Sequence, residues 1–173
     1  MKSNYLDRAM KFLKQFYPYI EHCSGVEGYE EMTDLFNQEY KNRKVICCHG
    51  ISRIAFITSD YVIKFDYDRE ACDFYGGCED EVEFYEFACQ EGFEYMFAAI
   101  THVSYGGRDF YIMPRVKNVG KCPMCWANEF FTGEESDFIE AYLCDLHDEN
   151  YGWHNRRPVI FDYAFNQYAV ERH

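Results

Sequence analysis

Apolar residues recur at helical spacing from the start of the chain. Leu6, Met10, Leu13, Phe16 or Tyr17, and Ile20 lie three or four apart, which predicts an amphipathic helix over residues 3–20. Ser3 is the candidate N-cap, and Pro18 is expected to loosen the last turn. Turn residues fill 21–28. Met32, Leu35, Phe36 and Tyr40 then predict a second helix over about 30–40. Beyond it the period changes. Residues 45–48, 54–58 and 61–65 read as three strands, with 49–53 joining the first pair and Ser59-Asp60 turning between the last two. Residues 78–90 read as a Glu-rich helix that ends near Gly92. A hairpin is predicted from strands at 100–105 and 110–113 around Gly106, and Pro114 cannot simply continue a central strand. Residues 119–133 read as a loop with room for a short helix, and 134–144 as a helix begun by Thr132 or Gly133. Strands at 151–153 and 159–161, with 154–157 as the turn, close the pattern. The order of elements predicts an α+β chain.

A chain of 173 residues is one domain or two small lobes. Its content of 48% hydrophobic and 20% aromatic residues argues for a packed core. The net charge of −13 repels phosphates and so argues against direct nucleic-acid binding. It suits a chain whose acidic face meets a basic partner. No apolar run approaches a membrane span, and the first helix is amphipathic rather than basic and then apolar. Neither a membrane segment nor secretion is expected, and the location expected is cytoplasmic. Nine cysteines, an odd number, include the adjacent Cys47 and Cys48, which favours reduced thiols. Cys122-Pro-Met-Cys125 has the spacing of a zinc half-site. A second pair at matching spacing is missing, so zinc is not the favoured cofactor.

The chemistry concentrates near the end. Asp145-Leu-His-Asp-Glu-Asn150 precedes the last hairpin, and Pro158-Val-Ile-Phe-Asp162 closes it. The hairpin returns the chain on itself and is expected to bring Asn150 close to Asp162. An amide oxygen and a carboxylate side by side are hard ligands suited to Mg²⁺, which usually shares its site with phosphates. Asp145, on the loop before them, can face whatever lies over the metal. A polar loop with an ordinary hairpin is the bland alternative. Lys64 stands inside an apolar strand. A buried ammonium is costly unless paired, although lysines often snorkel to the surface. The 78–90 helix offers carboxylates.

These residues resemble, in order, the protein-kinase-like superfamily. The Asp-x-His-x-x-Asn form at 145–150 is similar to aminoglycoside phosphotransferase-like kinases and to the miniature phage protein kinases of the T7 type. The resemblance implies a two-lobe α+β fold. Residues 1–43 would form N-terminal helices, 44–116 an N-lobe with an antiparallel sheet, and 117–173 a truncated C-lobe. It implies ATP and Mg²⁺ as cofactors. Asp145 would orient or deprotonate the acceptor, and Asn150 and Asp162 would hold the metal. Lys64 would hold phosphates and pair with Glu81, seventeen residues on, or with Glu83. Gly50, Ser52 and Arg53 would form a reduced phosphate-covering loop. Met113 would take the gatekeeper position, with Arg115 and Val116 beside the base at the hinge.

The pattern also departs from the family. Tyr163-Ala164 follows the second Asp, and only residues 163–173 lie beyond it, too few for a peptide-binding platform. The implied function is a miniature phosphotransferase, possible as a phage product acting on a host protein in the host cytosol. The rival is an inactive pseudokinase that uses the fold as an acidic protein-binding inhibitor of a host nucleic-acid-binding or defence protein.

Overall fold

The computed structural model describes residues 4–40, 45–50, 53–66, 77–117, 129–144 and 146–170. The chain divides into two compact units, Met1–Phe74 with Thr101–Arg115, and Tyr75–Ile100 with Val116–His173.

The first unit begins with α1 (Tyr5–Ile20) and α2 (Gly25–Tyr40). Asn4, rather than Ser3, caps α1: Leu6 N–H donates to its side-chain oxygen at 3.3 Å. Pro18 lies inside α1 without ending it, because Glu21 N–H still reaches Tyr17 O at 2.9 Å. α2 starts five residues before the place its apolar pattern marks, since Gly25 and Gly28 carry no side chain to register the period. Five strands follow: β1 (Ile46–His49), β2 (Arg53–Ile57), β3 (Tyr61–Asp66), β4 (Thr101–Tyr105) and β5 (Arg108–Pro114). They form one antiparallel sheet in the order β1-β2-β3-β5-β4. The α+β class expected from the sequence is the one the chain adopts.

Register separates the two faces of this sheet. Cys47, Phe56, Ile63 and Ile112 lie in one cross-strand row. All four are buried with Ala9, Leu13, Phe16 and Ile20 of α1 and Tyr29, Met32, Phe36 and Tyr40 of α2. The helices therefore cover that face. Successive side chains alternate, so Cys48, Ala55, Lys64, Tyr111 and His102 form the neighbouring row on the opposite face. The helix layer is fastened at several points. Tyr17 O–H donates to Gly106 O, Arg8 pairs with Asp60, and Arg108 donates to Tyr29 and, at 2.8 Å, to Cys23 O.

The second unit is built on α3 (Cys78–Glu91), a 3-10 turn at Glu94–Met96, α4 (Glu134–Tyr142), a 3-10 turn at Asp148–Asn150, the hairpin β6 (Tyr151–His154) and β7 (Arg157–Ile160), and α5 (Gln167–Val170). Gly92 ends α3 in the left-handed region at φ 82°, a conformation that favours glycine. Its core is aromatic. Phe84, Phe97, Phe138 and Tyr163 are buried, and their ring centroids lie 5.1–6.3 Å apart in the contacting pairs. The last hairpin turns on two residues, Asn155 and Arg156, with φ of 50° and 66°. This is tighter than the four-residue turn expected, because neither position carries the glycine that usually marks such a turn.

Among the described residues no helix is long and apolar enough to cross a membrane. The described cysteines (Cys23, Cys47, Cys48, Cys78, Cys89 and Cys144) are thiols rather than halves of disulfides.

Candidate functional site

In the first unit Lys64 occupies the middle of β3, an interior strand, and is 8% exposed. Its cross-strand neighbours are Ala55 and Tyr111. The helices pack on the other face, so this lysine is not part of the helix-covered core. Gly50 lies in the β1–β2 turn, where its N–H donates to Arg53 O at 2.7 Å. Arg53 begins β2 opposite Asp66. Met113 is buried on β5 opposite Val62. Arg115 leaves the strand with its N–H on Asp60 O at 2.9 Å, and the division between units falls between Arg115 and Val116.

In the second unit the loop before β6 is closed by its own polar groups. His147 N–H donates to Asn150 Oδ1 at 2.8 Å, and Glu149 N–H donates to His147 Nδ1 at 3.3 Å. This reciprocal cap shapes the 3-10 turn. β6 and β7 then pair from Tyr151–Ile160 to His154–Arg157. The hairpin brings the chain back, so that Phe161 N–H reaches Asn150 O at 2.9 Å and Asn150 Nδ2 donates to Asp162 O at 3.1 Å. Asn150 and Asp162, twelve residues apart, are thus adjacent.

The next residue is anchored from three sides. Tyr163 N–H donates to Glu81 Oε1 at 3.3 Å, and Tyr163 O–H donates to Ala98 O at 2.7 Å. Asn166 Nδ2 donates to Tyr163 O at 2.9 Å and to Ala164 O at 3.0 Å. Burial, followed by the nearby Glu81 charge, pushes the Tyr163 phenol well above its ordinary pKa, so it stays a donor. Glu81 is fully buried on α3, whereas Glu83 is partly exposed. Of the two, Glu81 is the one that is buried and in contact with the residue after Asp162. Tyr151 is also pushed up, to about 12, first by burial and then by Asp148.

β6 is held close to the segment that follows the division between units. Lys117 N–H donates to Trp153 O at 3.0 Å, and Trp153 N–H returns to Lys117 O at 2.8 Å. Gly152 permits this approach, since a Cβ there would lie 2.6 Å from Lys117 O. Val116, the third residue expected near a base, is buried at this contact.

Two solved structures are similar to this chain. One is the Legionella pneumophila Lpg2603 kinase bound to IP6, with a TM-score of 0.39 and 11% identity over 70% of this chain and 59% of that one. The other is WbdD crystallised with the kinase inhibitor LY294002, with a TM-score of 0.35 and 20% identity over 68% of this chain and 32% of that one. The chain thus spans about three fifths of the first and one third of the second. No protein-family model matches, and no curated protein matches.

Five residues singled out in the sequence lie outside the described residues: Ser3, Ser52, Cys122, Cys125 and Asp145. Among the described residues no group of three or more His, Cys, Asp or Glu is arranged to hold a metal ion. The expected pair fits Mg²⁺ only in part. Asp162 offers a carboxylate, and a Mg²⁺ shared with phosphates needs only one or two from the protein. Asn150 is 4% exposed, and its side-chain oxygen already accepts the His147 N–H. Sequence reasoning missed His147, Tyr163 and Asn166 as the residues that shape this loop. The signal available was local: His and Asn three apart before a strand can form a capping pair, and an Asn shortly after a buried aromatic can bond nearby backbone.

Proposed function

We propose that this chain is a small kinase-like phosphotransferase that uses ATP with Mg²⁺. The observation that carries the proposal is the closure of the 146–163 loop. Asn150 is bonded to the Asp162 carbonyl, and the next residue is bonded to the buried Glu81. That is the order of residues the kinase resemblance calls for, folded so that the Asp162 backbone is fixed. The five-stranded antiparallel sheet with Lys64 on an interior strand supports the same reading.

In this reading Lys64 binds the phosphates and Glu81 fixes the backbone beside Asp162. Asp162 carries the cation, and Asp145 orients the acceptor hydroxyl. Gly50, Ser52 and Arg53 cover the phosphates, while Met113, Arg115 and Val116 meet the base. When bound, Mg²⁺ supplies neutralisation of phosphate charge. The protein's part is positioning rather than covalent chemistry. The acceptor proposed is a protein, a host protein if the chain is phage-encoded, and the place of action is the cytosol.

The test is transfer of the ATP γ-phosphate, measured with a Mg²⁺ titration. Wild type should turn over. Lys64→Ala and Asp162→Asn should each lower turnover by orders of magnitude while keeping a cooperative unfolding transition. Equal activity in both variants would refute the assigned roles.

A second reading is favoured by the engaged side chain of Asn150 and by the net charge of −13. It is an inactive pseudokinase that binds a basic host protein. It predicts no turnover, indifference to Lys64→Ala, and a salt-sensitive partner in a pull-down.

A further inference from the structure

We propose that Asn150 is a positioning residue that fixes the Asp162 backbone, and not a ligand of the cation. The inference rests on the proposed role of Asp162 and deepens it. Each polar atom of Asn150 has a partner within residues 147–162. Its N–H donates to His147 O at 2.9 Å, and its carbonyl accepts Phe161 N–H at 2.9 Å. Its Oδ1 accepts His147 N–H at 2.8 Å, and its Nδ2 donates to Asp162 O at 3.1 Å. The side chain is buried. Binding a cation through the second lone pair of Oδ1 would bring the ion to a buried oxygen and against the positive end of the His147 N–H, and the 3-10 turn that aims Nδ2 at Asp162 depends on that N–H bond.

The chemistry of the amide explains the residue type. The position needs an acceptor on one side and a donor on the other, and an amide supplies both at fixed geometry. A carboxylate supplies only the acceptor and would place a charge against the Asp162 carbonyl. A ligand role makes the opposite demand, because a carboxylate is the better hard ligand for Mg²⁺. The substitution Asn150→Asp therefore separates the two roles. His147 belongs to the same device through its N–H and its Nδ1, which accepts the Glu149 N–H.

Two measurements test this. The first is hydrogen exchange of the Phe161 and Tyr163 amides in wild type and in Asn150→Asp, without cation or nucleotide. Exchange should speed at least tenfold in the variant, and unchanged exchange would overturn the proposal. The second uses calorimetric titration with Mg²⁺ and a non-hydrolysable ATP analogue. Asn150→Asp should weaken binding at least tenfold, and binding as tight as wild type or tighter would overturn the positioning role. If the variant does not fold, wild type decides by nuclear magnetic resonance. The His147 amide proton, bonded to Asn150 Oδ1, should stay protected when Mg²⁺ and the analogue are added, and loss of its protection would assign Oδ1 to the cation. A wild type that binds no analogue sinks the phosphotransferase reading instead, and the exchange measurement still decides what Asn150 does.

Discussion

Gly152 and Gly28 look alike in the sequence and should respond oppositely to alanine. At Gly152 the backbone of β6 approaches Lys117 closely. A Cβ would lie 2.6 Å from Lys117 O and 3.1 Å from its carbonyl carbon. These are backbone atoms that no rotamer change can move. The strand must retreat, which strains or opens the paired hydrogen bonds between Lys117 and Trp153, now 3.0 and 2.8 Å. Losing both costs about 1–3 kcal/mol at the usual net value of a hydrogen bond, and overpacking a fitted contact costs about the same. We expect Gly152→Ala to be less stable by about 2 kcal/mol, lowering Tm by roughly 4–8 °C for a chain of this size. Gly28 lies inside α2, and the nearest atom to a Cβ there is Cys23 Cα at 4.0 Å. Alanine fits without contact and restricts the unfolded chain, so Gly28→Ala should be more stable by about 0.5–1 kcal/mol. Urea unfolding followed by circular dichroism measures both. A Gly152→Ala variant within about 0.5 kcal/mol of wild type would refute the close-approach reasoning, given the ordinary scatter of surface substitutions.

Two further predictions concern the sheet. Asn37 on α2 bonds both outward groups of Cys47 on the edge strand β1, donating to its carbonyl at 2.8 Å and accepting its N–H at 2.9 Å. Asn37→Ala should cost about 2 kcal/mol, near the low end for two orphaned backbone groups, because the half-buried site admits water. It should also promote self-association through the uncovered edge, measured by analytical ultracentrifugation; a stable monomer would contradict this. The Cys47 thiol is pushed up to about 12, chiefly by burial, with the Thr33 hydrogen bond opposing. A group whose pKa is raised by folding gives stability that is full below the unfolded pKa, about 8.5, and is lost as pH rises toward the folded value. The stability advantage of wild type over Cys47→Ala should therefore shrink between pH 9 and 12, and an advantage constant across that range would refute it.

Much of the fold was legible because apolar periodicity reports burial directly. Leu13, Phe16 and Ile20 mark the buried stripe of α1, and alternation across Ile54, Phe56, Ile63 and Phe65 marks the helix-covered face of the sheet. What escaped was carried by residues whose side chains do not announce their role. Gly25 and Gly28 hid the first turn of α2, and Asn155-Arg156 hid a tight turn that lacks glycine. At the site, the spacing of Asn150 and Asp162 foretold their meeting, since a hairpin has little freedom in where it returns the chain. It did not foretell which atoms meet. The same amide that can ligate a cation can cap a turn, and only the positions of His147 N and Asp162 O distinguish the two. Glu81 and Glu83 both lie on a Glu-rich helix with aromatics at helical spacing, and their difference in burial is not visible in that spacing.

The measurement closest to the central claim is the thermal midpoint with and without millimolar Mg²⁺ and ATP, on wild type and on Asp162→Asn. A ligand held by the native state at a hundred times its Kd adds about 2.7 kcal/mol, which for this chain length raises Tm by roughly 5–11 °C. We expect that rise in wild type and its loss in Asp162→Asn. An unchanged midpoint in wild type, or an equal rise in both proteins, would contradict a nucleotide site built on Asp162.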